Sequence, residues 1–129
     1  MPTFHNPKTV AAPASRYSHG VSHALDGRRL VISGQLGVRP DGSVVEGLEA
    51  QMAQAWDNLF AVLADAGMQV EHLVKVTVFV TVPGAVGPYR KVRDEKLRGH
   101  PCAMTYLEIA GLASPAFLVE IEGEAVLED

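Results

Sequence analysis

The chain has 129 residues, 47% hydrophobic and 20% charged, which suits one soluble globular domain over residues 1–129. A formal net charge of −4 leaves no concentrated basic surface, so nucleic acid is not an expected partner. No apolar run approaches the roughly 20 residues that cross a bilayer, and the single cysteine, Cys102, permits no internal disulfide.

Met1-Pro2-Thr3-Phe4 starts neither a signal nor a transit peptide, so the expected location is cytoplasmic, with no membrane partner. The opening residues, through Pro13-Ala14-Ser15, read as irregular or edge-like. Residues 17–25 and 29–33 read as two strands joined at Asp26-Gly27, a pair that favours a hairpin turn. Ser33-Gly34-Gln35 breaks the second strand, and Arg39-Pro40-Asp41-Gly42-Ser43 is a further turn.

Residues 48–66 carry the clearest helical signal. Leu48, Met52, Ala55, Trp56, Leu59, Val62, Leu63 and Ala66 fall on one stripe, and Gly67 is placed to cap the end. Trp56 on that stripe reads as core. Residues 72–80 are β-branched and apolar on both faces, the mark of a central strand. Pro83-Gly84 breaks the chain before a second helix over 88–97, with Pro88 in its first turn. The basic cluster Arg90-Lys91-Val92-Arg93, followed by Lys96 and Arg98, is interleaved with Asp94 and Glu95. It reads as a solvated helix face, with a small-anion site as the alternative.

Residues 103–110 and 116–126 are two more strands around the Gly111-Leu112-Ala113-Ser114-Pro115 turn. The last alternates Glu120, Glu122 and Glu124 with Phe117, Val119, Ile121 and Ala125. The predicted order is strand, strand, helix, strand, helix, strand, strand. It implies an α+β two-layer sandwich, a mixed sheet with both helices on one face. Apolar residues on the uncovered face would then favour self-association.

The five histidines supply no metal-ligand spacing. His19 and His23, the closest pair on one strand, would lie roughly 13 Å apart, too far for one ion. There is no Gly-rich phosphate loop and no nucleophile elbow. No metal and no cofactor are expected.

Motifs spread over nearly the whole chain carry a family likeness. They are Tyr17-Ser18-His19-Gly20, Val31-Ile32-Ser33-Gly34-Gln35, Val74-Lys75-Val76-Thr77-Val78-Phe79-Val80, Gly99-His100-Pro101, and the Met104 to Leu112 stretch with Val119-Glu120-Ile121-Glu122 downstream. In this order they resemble the reactive-intermediate deaminase (Rid) family, long called the YjgF family. The resemblance implies a chorismate-mutase-like fold, a homotrimer, and small-molecule ligands in clefts between subunits. It implies that Glu120 orients or activates water, that Ser33 and Gly34 donate hydrogen bonds, and that Tyr17 meets the ligand.

Three positions depart from the family's pattern. Met104 stands where its deaminases have the arginine that grips the substrate carboxylate, Tyr106 replaces a cysteine, and Arg90 an asparagine. Met104 and Tyr106 share a strand face by alternation. A thioether makes no bidentate charge-assisted bond, so the rebuilt wall favours a more apolar or uncharged ligand. Arg16 or Arg90 is the alternative source of a cation. The expected function is hydrolysis of an enamine or imine with an altered substrate range, outside the usual 2-imino-acid deamination. The alternative is a non-catalytic trimer that binds a small metabolite or a partner. A ribonuclease role, attached to some relatives, sits poorly with an acidic chain.

Overall fold

Alternating valines make residues Leu73–Val80, strand β4, an inner strand buried on the side of Val76, Val78 and Val80. The computed structural model, which describes residues 2–129, places it in a four-stranded sheet. The other strands are β3 (Arg28–Leu36), β5 (Ala103–Glu108) and β6 (Val119–Leu127), and the order across the sheet is β3-β6-β4-β5. β6 runs antiparallel to both its neighbours, while β4 and β5 are parallel. A parallel pair needs a crossover, and helix α2 (Val86–Leu97) supplies it. Helix α1 (Leu48–Asp65) makes the longer connection from β3 to β4. The result is the expected α+β sandwich with a mixed sheet.

The α1 stripe forms the core. Met52, Ala55, Trp56, Leu59 and Leu63 are buried with Ile32, Val76, Val78, Val119, Ile121 and Ala125 of the sheet. Each large side chain removed from water contributes about 1.5–3 kcal/mol, which exceeds the modest intrinsic preference of the helix for its own conformation. Gly67, at φ +72°, ends α1 in the left-handed region, and the Met68 amide closes onto the Leu63 carbonyl at 2.9 Å. Gln51, also buried, donates to the Ala116 carbonyl and accepts from the Leu118 amide, both at 2.9 Å, fastening the loop before β6.

The hairpin expected at Asp26-Gly27 does not form. Strand β2 (Gly20–Ser22) pairs with β1 (Thr3–His5), and β3 pairs with β6. Gly27, at φ +114°, lies against the end of β6, where a Cβ would fall 2.2 Å from the Leu127 carbonyl oxygen. β6 gives β3 a long antiparallel partner that also turns Leu30 and Ile32 toward the core, which the three residues of β2 do not. The segment before β2 instead runs along the free edge of β5, through a bridge between Ser18 and Ala103.

The face away from the helices is mixed. β6 presents Glu120, Glu122 and Glu124, β4 presents Lys75, Thr77 and Phe79, and β5 presents Thr105 and Leu107. Lys75 donates to Thr105 at 2.7 Å and Arg29 pairs with Glu124 at 2.8 Å. Its apolar residues include Phe79, Val31 and Leu107, the last two 62% and 43% exposed, and Val126, buried opposite Arg29.

Candidate active site

Residues three or four apart on a helix share a face, so Val86, Tyr89, Arg90 and Arg93 of α2 point the same way. Opposite them lie Met104 and Tyr106 of β5, on the helix side because they pair with the inward-facing Val76 and Val78. The Ser18–Ala103 bridge brings Ser15 and Tyr17 to the same place. Together these residues line a cleft of about 230 Å³, and its walls include all three tyrosines of the chain.

Aromatic contacts set the shape of the cleft. The Tyr89 and Tyr106 rings pack with centroids 4.9 Å apart, and the Tyr89 hydroxyl donates to Met104 Sδ. The Tyr106 hydroxyl reaches Glu108 Oε2 at 3.5 Å. Partial burial and then the Glu108 carboxylate hold the Tyr106 hydroxyl above its ordinary pKa, so it stays a donor at neutral pH. Burial raises the Tyr89 hydroxyl further, against the lowering influence of Arg93.

Arg93 is the least accessible charge in the cleft, its side chain only 3% exposed. Nε and Nη2 donate to Asp94 Oδ1 at 3.0 and 2.9 Å, and Nη1 to Ser15 Oγ at 3.2 Å. Its guanidinium carbon lies 5.5 Å from the Tyr89 ring centroid, within cation–π range. Arg90, half-buried, forms no hydrogen bond or ion pair among the described residues.

A second group of predicted residues sits on the opposite face of the sheet. Ile32 pairs with Gly123 and Gln35 with Ile121, so Ser33 and Gly34 form a bulge against the one residue between. The bulge brings Gly34 beneath the Glu120 side chain, where a Cβ would fall 2.5 Å from Oε1. Only glycine permits that approach. The Glu120 carboxylate makes no hydrogen bond among the described residues and faces the open side with Phe79. Ser33 is exposed beside it in sequence.

The structure therefore brings together Tyr17, Arg90, Met104 and Tyr106, and separately Ser33, Gly34 and Glu120. In one copy the sheet stands between the two groups. Arg16 is exposed against Gly99 and lies outside the cleft wall. Cys102 is buried, and burial pushes its thiol up to about 12, so it is no nucleophile at neutral pH. Among the described residues no three potential metal ligands converge, and no helix is long and apolar enough to cross a membrane.

The solvated-face reading of the basic cluster fails at Arg93. Lys91 and Lys96 pair with Glu49 at 3.2 Å and Asp57 at 2.7 Å, but Arg93 turns inward. Sequence reasoning also passed over the cleft roles of Ser15 and Tyr89. The available signal was spacing, since Tyr89 and Arg93 lie four residues apart on the apolar side of α2.

Comparison with known proteins gives a consistent result. The family model described as endoribonuclease L-PSP matches residues 8–127. A RutC family protein of Pasteurella multocida is 44% identical over 108 residues, 78% of this chain and 81% of that protein. A 2-iminobutanoate/2-iminopropanoate deaminase of Salmonella typhimurium is 40% identical over 79 residues, 57% of this chain and 59% of the enzyme. A RutC family protein of Aquifex aeolicus is likewise spanned over only 59% of its length. The crystal structure of YyfB, a Rid-family protein of unknown function from Yersinia pestis, superposes with a TM-score of 0.87 at 31% identity, covering 98% of both chains.

Proposed function

This chain belongs to the endoribonuclease L-PSP family, known also as the Rid family, and on that premise we propose that it hydrolyses a small imine or its enamine tautomer at a site shared between two copies. The observation that carries this reading is the seat of Glu120 over Gly34. A carboxylate held on bare backbone, with no internal partner among the described residues, has its acceptor oxygens free for a water molecule.

In the proposed reaction Glu120 takes a proton from water as the water oxygen attacks the imine carbon. The same carboxyl gives that proton to nitrogen to form the carbinolamine, then carries the carbinolamine hydroxyl proton to nitrogen as the C–N bond breaks, and the products are a carbonyl compound and ammonia. Tyr17, Arg90, Met104 and Tyr106 hold the substrate, and Ser33 and the Gly34 amide donate hydrogen bonds from the water side. These halves lie on opposite faces of one sheet, so a neighbouring copy must bring its Glu120 to the cleft. Exposed Val31 and Leu107 on the face that carries Glu120 support packing of that face in a homotrimer.

The test is ammonia release from imines generated in solution, with acidic and neutral side groups compared. The protein should accelerate release above the spontaneous rate, and Glu120→Gln should return it to that rate. No acceleration with any imine would overturn the reading.

The second reading, a non-catalytic metabolite-binding trimer, draws support from the contact between the Tyr89 hydroxyl and Met104, which closes one wall of the cleft with a thioether. Ligands that raise the melting temperature without being turned over would favour it.

A further inference from the structure

We propose that the protein holds a second small-molecule site, apart from the cleft described above, where the C-terminal ends of α1 and α2 meet. Its chemistry fits an aryl monocarboxylate, one aromatic ring with a short acidic arm. The proposal stands independently of the hydrolase reading.

The site is a cavity of about 290 Å³ whose walls include Phe60 and Leu63 of α1, Met68 and Val70 of the connection that follows, and Lys96 and Arg98 at the end of α2. It shares no residue with the first cleft. Backbone conformation fixes its shape. Gly67 turns the chain out of α1 in the left-handed region, and the bond from the Met68 amide to the Leu63 carbonyl folds Met68 back over the helix end. The next turn is tied at both ends. The Gln69 amide donates to His72 Nδ1 at 2.8 Å, and the His72 amide to the Gln69 carbonyl at 2.9 Å. Leu63 and Met68 are buried, and the Phe60 ring rests on Trp56 with centroids 5.9 Å apart. An aromatic ligand therefore meets a preformed apolar wall, with a ring and a thioether to pack against.

Arg98 supplies the charge. It follows α2 directly, and among the described residues it is the one non-glycine residue with a positive φ, at +51°. Glycine is the unstrained choice for that conformation. The Arg98 side chain forms no hydrogen bond or ion pair among the described residues, so it gives one copy little beyond the general attraction of a cation to a helix C-terminus. Arg16, lying against Gly99, adds positive potential nearby. Lys96 is already offset by Asp57 at 2.7 Å, and no carboxylate lines the cavity. One uncompensated guanidinium on the wall matches one carboxylate, which it can meet with two parallel N–H bonds. The volume lies at the lower end of ordinary small-molecule sites, which limits the ligand to about one ring and its acidic arm. The end of the basic run thus takes the small-anion role that its spacing left open.

Calorimetric titration with phenylacetate, its uncharged analogue 2-phenylethanol and its saturated analogue cyclohexylacetate tests the site. The wild-type protein should bind phenylacetate at least about 10-fold more tightly than the alcohol and about 3-fold more tightly than cyclohexylacetate. Arg98→Gln should abolish the preference for the acid over the alcohol. Arg98→Gly should abolish it too, while raising the melting temperature by about 2–4 °C as the left-handed backbone is relieved. An arginine kept only to finish the helix would lower the melting temperature when removed. Gln69→Glu, which sets a like charge on the wall at unchanged size, should weaken phenylacetate by about 3-fold or more and leave the alcohol unchanged. Arg90→Gln, in the first cleft, should leave phenylacetate affinity as it was. Equal affinity for acid and alcohol, binding of cyclohexylacetate as tight as that of phenylacetate, or an acid preference that survives both Arg98 variants overturns the proposal. Affinity lost in Arg90→Gln and kept in Arg98→Gln overturns it as well, by moving the ligand to the first cleft.

Discussion

The two faces of the sheet follow different rules. Toward the helices, Val76, Val78, Val119 and Ile121 meet Trp56 and Leu59, and nearly every side chain is fully buried. On the other face, carboxylates, a lysine, threonines and a few apolar residues alternate in partial exposure. The first face is determined by the demand that apolar surface leave water, and it tolerates little change in volume. The second carries Glu120 over Gly34, an arrangement that adds nothing evident to the stability of one copy. Its composition becomes intelligible if a second copy faces it. The difference places stability on the covered face and, on the proposed reading, the water-handling carboxylate on the open one, and this division can be attacked from both sides.

Trp56→Ala should have the largest effect, removing about 3–5 kcal/mol of stability as measured by urea unfolding. A loss below 1 kcal/mol would show that the covered face does not dominate the fold. On the open face, Glu120→Gln should lower ammonia release by about 10²- to 10⁴-fold while the urea midpoint stays within error. A large drop in that midpoint would reassign Glu120 to structure. Gly34→Ala forces the carboxylate aside, so turnover should fall by roughly 10²-fold with little change in stability. Unchanged turnover would mean that the bulge is merely a strand irregularity.

Leu107→Glu places a charge on the open face. Sedimentation should then show smaller species, with the circular dichroism spectrum retained. An unchanged assembly would remove this face from any subunit contact.

The smallest effect concerns a proton held on the covered side. An unfolded thiol ionises near its ordinary value of 9.0, whereas folded Cys102 keeps its proton to about 12. The folded state therefore loses stability as pH rises from 9, and the loss is complete only near 12. Between pH 8 and 10.5 the wild type should lose roughly 2 kcal/mol more than Cys102→Ala, read from urea melts at each pH. Equal losses would place the thiol in contact with water.

Much of this architecture was legible in the sequence. The Met52, Trp56 and Leu59 stripe, the doubly apolar 72–80 segment and the alternation of Glu120 with Ile121 specify the elements through local periodicity. Alternation also placed Met104 beside Tyr106, as observed. Asp26-Gly27 misled because turn chemistry describes the turn and not its partners, and β3 found a better partner in β6. Arg93 was obscured by its neighbours. A run of charges looks solvated until the N-terminal segment and Tyr89 close over one member of it.

The sequence by itself determined which residues form strands and helices and which residues of each share a face, because those facts depend on neighbours a few positions away. Only the tertiary structure decided which faces look at each other. Strand pairing and register join segments far apart in the chain, and the sign of every face follows from that register. That is why Met104 and Glu120, two parts of one sequence signature, lie on opposite sides of the sheet, and why Arg93 of the preceding helix α2 borders the cleft beside Met104.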